Sequence, residues 1–201
     1  VLAKGSGYGE ALKDRNLLGF LAAMAFNRMA SAALWMLLAV HVKTNFGISE
    51  GIYGFIPTTN AVMVIFLQII ITRRVKRFPV SLVMTMGAFF YGVAVLGVGF
   101  CQGFWGFWLC MVIATIGEMI LLPTTTNYVS RLAPEDKRAR YMSLYTITWS
   151  IGTALGPLIG GVLNDQVSPT ATWVGTGLLG FVGMGLFLLF SKRPKNNGYC
   201  E

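Results

Sequence analysis

Residues 104–122 read FWGFWLCMVIATIGEMILL and are followed by Pro123. As a helix rising 1.5 Å per residue, this run would just cross the hydrocarbon core of a bilayer, which is about 30 Å thick. Its one charged residue, Glu118, would lie near the middle of the crossing. A carboxyl group at that depth is costly unless it is protonated, paired or hydrated, so Glu118 is a candidate functional residue.

The composition of the whole chain also indicates a membrane protein. Its 201 residues are 55% hydrophobic and only 12% charged, whereas soluble domains carry about 25% charged residues. The net charge of +8 comes from short basic clusters between apolar runs. That distribution is typical of membrane orientation rather than of a nucleic-acid-binding face. We therefore expect membrane lipids as partners and no nucleic acid.

Six apolar windows are each long enough to span a bilayer. They cover residues 17–40, 52–71, 80–100, 104–122, 141–163 and 171–190. A segment in lipid must satisfy its own backbone hydrogen bonds, and these windows lack the strict alternation of barrel strands. The predicted fold is an all-α membrane protein, a six-transmembrane-helix bundle over residues 17–190. A linker, residues 1–16, and a tail, residues 191–201, would flank it.

The connectors between the windows predict the orientation of the chain. Basic clusters follow the second, fourth and sixth windows, at residues 72–77, 131–140 and 192–195. The alternate connectors contain no Lys or Arg, around residues 45–51, 101–103 and 164–169, although Lys43 lies near the first of them. Because basic loops stay in the cytoplasm, we expect both the linker and the tail to be cytoplasmic.

The sequence contains no dinucleotide fingerprint, phosphate-binding loop or metal-ligand spacing, so we expect neither cofactor nor metal. No nucleophile–base pair is visible, which argues against an enzyme. We interpret His41, at the end of an apolar run, as an interfacial residue. Cys101 and Cys110 could lie near the same membrane surface, with a disulfide as a minor alternative.

Arg28 is the second charge expected in mid-membrane, and Asn27 lies beside it. It shares a predicted helix face with Met24, Ser31 and Trp35, at spacings of i, i+4, i+7 and i+11. Asn60 is expected at a similar depth. Two interpretations stay open. Either Arg28 and Glu118 form a buried ion pair that only orders the bundle, or they line a substrate cavity in which Glu118 is a proton or cation site.

The fifth window combines small residues with a proline, over Gly152, Gly156, Pro157, Gly160 and Gly161. Small residues four apart favour a close helix contact, and a proline favours a bend, so this segment is either a moving gate or plain packing. Pro123 could likewise unwind the inner end of the fourth helix. Tyr145 and Trp149 would line the cavity. The predicted substrate-binding residues are thus Arg28, Asn27, Asn60, Tyr145 and Trp149.

Three runs carry a family resemblance: IGEMILLP at residues 116–123, LAPEDKRARYM at residues 132–142 and GPLIGG at residues 156–161. Together they resemble the carboxyl-terminal half of a major facilitator superfamily transporter of the drug:proton antiporter type. The resemblance implies that the six windows are helices seven to twelve of twelve. It also implies that Glu118, in helix ten, serves proton coupling and cationic substrates. Residues 72–79 lack the Gly and Asp of the family's gating motif, and Ala139 replaces a glycine.

The resemblance further implies the partners of the chain. They are an amino-terminal six-helix half on the same or a separate chain, protons, and a small lipophilic or cationic substrate. We expect a proton-coupled multidrug efflux antiporter in a bacterial plasma membrane. The alternatives are a nutrient or lipid porter of the same fold and a non-transporting six-helix scaffold subunit.

Overall fold

The structure, a computed structural model, describes residues 8–9 and 11–191. Within these residues the regular structure is helical, and six helices are long and apolar enough to cross a membrane. The predicted all-α six-helix fold is therefore confirmed. The predicted tail after Ser191, with its basic cluster at residues 192–195, and half of the predicted linker lie outside the described residues.

The chain forms seven α-helices within the described part, and the second and third together make one crossing. They are α1 (Arg15–Phe46), α2 (Glu50–Tyr53), α3 (Phe55–Val75), α4 (Val80–Val98), α5 (Phe104–Leu132), α6 (Arg138–Gln166) and α7 (Pro169–Ser191). Short 3-10 turns lie at Ala11–Lys13 and Glu135–Lys137.

Helix α1 is longer than its apolar window at both ends because local caps, not hydropathy, set its limits. The Asp14 carboxylate accepts the backbone N–H groups of Asn16 and Leu17, at 2.9 and 3.3 Å, and so starts the helix at Arg15. Gly47 ends it in the left-handed region, at φ 64°, a conformation that costs glycine little. The bundle thus begins two residues before the predicted boundary.

Helix α5 does not unwind at Pro123, so that prediction was wrong. The helix continues through the proline to Leu132. A proline leaves the carbonyl four residues earlier without its helical donor, and here that carbonyl belongs to Met119. The side-chain amide of Gln68, on α3, donates to the Met119 carbonyl at 3.0 Å. A neighbouring helix therefore supplies the hydrogen bond that the proline removes.

The helices pack as a layered bundle. Helix α4 packs against α5 and α7, and α1 packs against α6 and α7. Helix α3 contacts mainly α5 and leaves most of its apolar side chains exposed, among them Ile65, Phe66 and Ile69. Such an apolar surface requires lipid or another protein to cover it.

Glycines bring α6 close to α1. A Cβ built on Gly152 would lie 2.5 Å from the Cβ of Arg28, and one on Gly156 would collide with the carbonyl oxygen of Met29. A Cβ on Gly160 would meet the terminal Cδ1 of Leu37 at 2.5 Å, a flexible side-chain end that can move aside. Gly161 does not share this contact, because a Cβ there would meet nothing within 4 Å. Helix α6 also continues through Pro157 without a break.

Candidate functional site

The Glu118 carboxylate lies near the midpoint of α5 and is partly buried. The side-chain amide of Asn60, on α3, donates to Oε2 of Glu118 and to Oγ1 of Thr115, each at 3.0 Å. The Thr115 hydroxyl in turn donates to the Met111 carbonyl at 2.7 Å. We call Glu118, Asn60 and Thr115 the carboxylate cluster. It joins α3 to α5 through polar contacts at mid-membrane depth.

A neutral amide orders the Glu118 carboxylate without cancelling its charge. An ionised carboxylate has about four lone-pair sites, and Asn60 uses one of them. Within the described residues no other side chain donates to it. The remaining oxygen can therefore accept a proton, a water molecule or a cation.

The Arg28 guanidinium lies near the midpoint of α1 and is 9% exposed. Its Nη2 donates to the Tyr145 hydroxyl at 3.3 Å, and its Cζ lies 4.4 Å from the ring centroid of Trp149. The Tyr145 hydroxyl also hydrogen-bonds Oγ1 of Thr125, at 2.9 Å. We call Arg28, Tyr145, Trp149 and Thr125 the guanidinium cluster. It joins α1, α5 and α6 through one buried charge.

Arg28 and Glu118, both in the described part of the chain, do not form an ion pair with each other. The interpretation as a buried pair is therefore wrong. Tyr91, buried on α4, lies within electrostatic reach of both charges and close to the side chains of Ser31 and Trp35. Each charged side chain thus has its own neutral hydrogen-bond partners, and Tyr91 lies near both charges.

The predicted binding residues divide between these clusters, with one exception. Asn60 belongs to the carboxylate cluster, and Tyr145 and Trp149 belong to the guanidinium cluster. The Trp149 side chain is 53% exposed, so it can meet a ligand. Asn27 is the exception. It is fully buried beside Gly183 of α7, whereas Arg28 lies beside Gly152 of α6, so the structure places Asn27 outside both clusters.

Sequence reasoning missed Thr115, Thr125, Tyr91 and Gln68. Thr115 and Thr125 stand three residues before and seven after Glu118, which is one face of a helix, so periodicity could have found them. The local sequence does not reveal the roles of Tyr91 and Gln68, because Tyr91 lies close to side chains of α1 and Gln68, besides its bond to Thr72 of its own helix, donates to α5.

A cavity of about 460 Å³ lies elsewhere, at the ends of α1, α6 and α7 that are distant from the basic loops. Its lining includes His41, Asn45, Asp165 and Trp173 but neither Glu118 nor Arg28. His41 packs edge-on against the rings of Phe107 and Trp173. The substrate cavity around Glu118 and Arg28 stays a prediction; Glu118 is partly buried, Arg28 is buried, and the Trp149 side chain is exposed.

A profile of the Major Facilitator Superfamily matches residues 20–199. The chain belongs to the Major Facilitator Superfamily. It is an integral, multi-pass membrane protein and a six-helix half of that fold. The incomplete enclosure of Glu118 is consistent with this, because superfamily sites lie between two repeats.

Two relatives show how much of a superfamily member this chain represents. The Na⁺, Li⁺, K⁺/H⁺ antiporter of Planococcus maritimus is 25% identical over 98% of this chain and 50% of its own length. The uncharacterized MFS-type transporter YttB of Bacillus subtilis is 29% identical over 81% of this chain and 41% of its own length. The chain thus spans about half the length of the relatives it matches.

Solved structures of superfamily members share the fold. A peptide transporter, POT, in complex with sulfate superposes with a TM-score of 0.79, at 16% identity, over 89% of this chain and 38% of the other. A bacterial homolog of the human lysosomal transporter Spinster, inward-facing and unoccupied, gives a TM-score of 0.74 at 16% identity, over 97% of this chain and 45% of the other.

Proposed function

We propose that the chain is the carboxyl-terminal half of a proton-coupled antiporter that exports lipophilic, often cationic, compounds. Glu118 is the group that exchanges a proton for the substrate. One observation carries the proposal: the Glu118 carboxylate lies at mid-helix, is held by the neutral Asn60 and is not paired with Arg28. Family membership supports the transport class.

Exchange follows from the cost of a bare charge in a medium of low dielectric constant. An ionised carboxylate at this depth is stabilised by a nearby cation, whereas a protonated one needs none. A proton and a cationic substrate therefore compete for Glu118. Asn60 and Thr115 hold the group in position while its charge changes.

The second wall of the site would come from the amino-terminal six-helix half. Transporters of this type work by rocking two repeats about a site near the bilayer midplane. In this arrangement residues 17–190 are helices seven to twelve, and residues 1–16 and 191–201 are cytoplasmic segments at a bacterial plasma membrane. The close contact of Gly152, Gly156 and Gly160 with α1 would guide the movement of α6.

The test is Glu118→Gln in the full-length protein that contains this chain, assayed in everted vesicles with an imposed proton gradient and a lipophilic cation. We expect proton-driven efflux to be lost, because the amide cannot ionise, while membrane insertion stays intact. Glu50→Gln is the matched control, since Glu50 is exposed and pairs with Lys43 outside the clusters. Unchanged efflux in Glu118→Gln would remove this residue from the mechanism.

A second candidate is exchange of an alkali metal ion for protons. It is favoured by the activity in the name of the Planococcus maritimus relative and by the oxygen atoms that Glu118 and Thr115 bring together. The same vesicles distinguish the two functions. If Na⁺, Li⁺ or K⁺ collapses the proton gradient and lipophilic cations do not, the metal ion is the substrate.

A further inference from the structure

Cys101 and Cys110 lie together at the turn between α4 and α5. Cys101 follows the end of α4, and Cys110 lies near the start of α5. Both are free thiols in this structure, and their Sγ atoms are 3.6 Å apart. A disulfide bond is about 2.05 Å long, so the two sulfur atoms would need to move together by only about 1.5 Å.

Two glycines, which have no side chain, leave the space in which the two sulfur atoms lie close together. A Cβ on Gly106 would lie 2.9 Å from Sγ of Cys101, and a Cβ on Gly97 would lie 3.1 Å from Sγ of Cys110. Any side chain at these positions would push a sulfur away. The Cys101 thiol also donates to the Gly97 carbonyl at 3.2 Å, a bond that it can give up at little cost.

The turn lies at the end of the bundle opposite the basic loops. Helix α4 begins after Arg73, Arg74, Lys76 and Arg77 and ends before Cys101, while α5 begins after Cys101 and ends after Arg131. By the positive-inside rule, the Cys101 end faces out of the cytoplasm. That side is the compartment in which disulfides form and persist.

We propose that Cys101 and Cys110 are a site of intramolecular disulfide formation by a disulfide-bearing oxidant. The Cys101 thiolate attacks the oxidant's disulfide and displaces one thiolate. The Cys110 thiolate then attacks Sγ of Cys101 and displaces the second. The chain loses two electrons and two protons, and the oxidant gains both as two thiols.

The exposure of the two thiols assigns their roles. Cys101 is partly exposed and can meet the oxidant, whereas Cys110 is only 6% exposed and reaches only its neighbour. The mixed disulfide therefore forms at Cys101, and Cys110 resolves it.

The sequence makes the measurement direct. No Lys or Arg lies between Arg77 and Arg131, so trypsin releases both cysteines in one peptide, residues 78–131. The membrane-embedded full-length protein is treated with oxidised glutathione, labelled with N-ethylmaleimide, digested and weighed. We expect the peptide to lose the mass of two hydrogen atoms and to carry no label, and to carry two labels after reduction. Two labels after oxidation, or an unresolved glutathione adduct, would overturn the proposal.

Matched variants distinguish disulfide formation between Cys101 and Cys110 from general reactivity of the thiols. Gly106→Ala places a Cβ against Cys101, so the peptide should still carry two labels after the same treatment. A Cβ at Gly103 meets nothing within 4 Å, so the Gly103→Ala peptide should form the disulfide and carry no label. Cys110→Ser should stop at a stable glutathione adduct on Cys101. The same peptide, alkylated directly in intact cells, reports the native oxidation state. If both alanine variants oxidise equally, the glycine argument fails.

Discussion

Arg28 and Glu118 are two charges near helix midpoints, and each is surrounded by neutral partners. The amide of Asn60 holds the carboxylate, while a phenol and an indole ring hold the guanidinium. Neutral partners lower the cost of burial without cancelling the charge. The Glu118 carboxylate therefore stays able to accept a proton or a cation, whereas the guanidinium of Arg28 keeps its charge.

Arg28→Met should separate the structural role of the guanidinium from its transport role. The protein should insert and fold with unchanged or raised thermal stability, because an apolar side chain of similar size replaces a buried charge that has no carboxylate partner. Proton-coupled efflux should fall at least about tenfold, equivalent to about 1.4 kcal/mol. The reason is that, in the proposed function, Arg28 lines the substrate site together with Tyr145 and Trp149.

Efflux in vesicles and melting in detergent are the two measurements for Arg28→Met. Arg73→Met, at an exposed position in the last turn of α3, is the matched control. Unchanged proton-coupled efflux in Arg28→Met would show that the guanidinium has only a structural role.

Helix α5 shows how one element depends on its neighbour. Hydropathy predicts its crossing, and Pro123 suggests an interruption, yet the helix is continuous. The amide of Gln68, on α3, donates to the Met119 carbonyl that the proline leaves without its helical donor. Sequence patterns along one helix cannot report a hydrogen bond that another helix donates.

The contact between α6 and α1 gives a paired prediction. Gly156→Ala should lower the stability of the bundle by about 1–3 kcal/mol, because its Cβ collides with the Met29 carbonyl oxygen. Gly161→Ala adds the same methyl group to the same helix in open space, so its melting temperature should stay unchanged or rise slightly. Thermal unfolding of the purified variants in one detergent is the measurement. Equal losses would show that the glycine contact is not tight in solution.

At the scale of the whole molecule, the chain has apolar surfaces that lipid or another protein must cover. Most of α3 and much of α6 are exposed in the isolated bundle, and the exposed side chains are largely apolar. Exposed Trp149 and the partly exposed Glu118 add polar groups to this surface. In the proposed function, this surface is one wall of a site that a second six-helix half completes.

Reporter fusions test the orientation of the whole chain. Fluorescent-protein fusions after Lys76 and Lys137 should fluoresce, because both positions lie in basic loops that stay in the cytoplasm. Alkaline phosphatase fused after Gln102 or Asp165 should be active, because neither connector contains Lys or Arg. Phosphatase activity at the basic loops would show that the topology is inverted. Cys101 would then face the cytoplasm and not an oxidising compartment.

The sequence by itself determined the number of crossings and their helical form. Apolar length decides which segments enter lipid, and the absence of water forces each of them to satisfy its own backbone. It also located Glu118 and Arg28 near the midpoints of their helices, because position is counted along the chain.

Only the tertiary structure decided which groups meet. It showed that Asn60 rather than Arg28 contacts Glu118 and that Asn27 lies against α7. It also showed that Gly160 faces a neighbouring helix whereas Gly161 faces open space. It also brought Cys101 to Cys110. The reason is that these contacts depend on the rotation of each helix about its own axis. In lipid, where every face of a helix is apolar, hydropathy carries almost no record of that rotation.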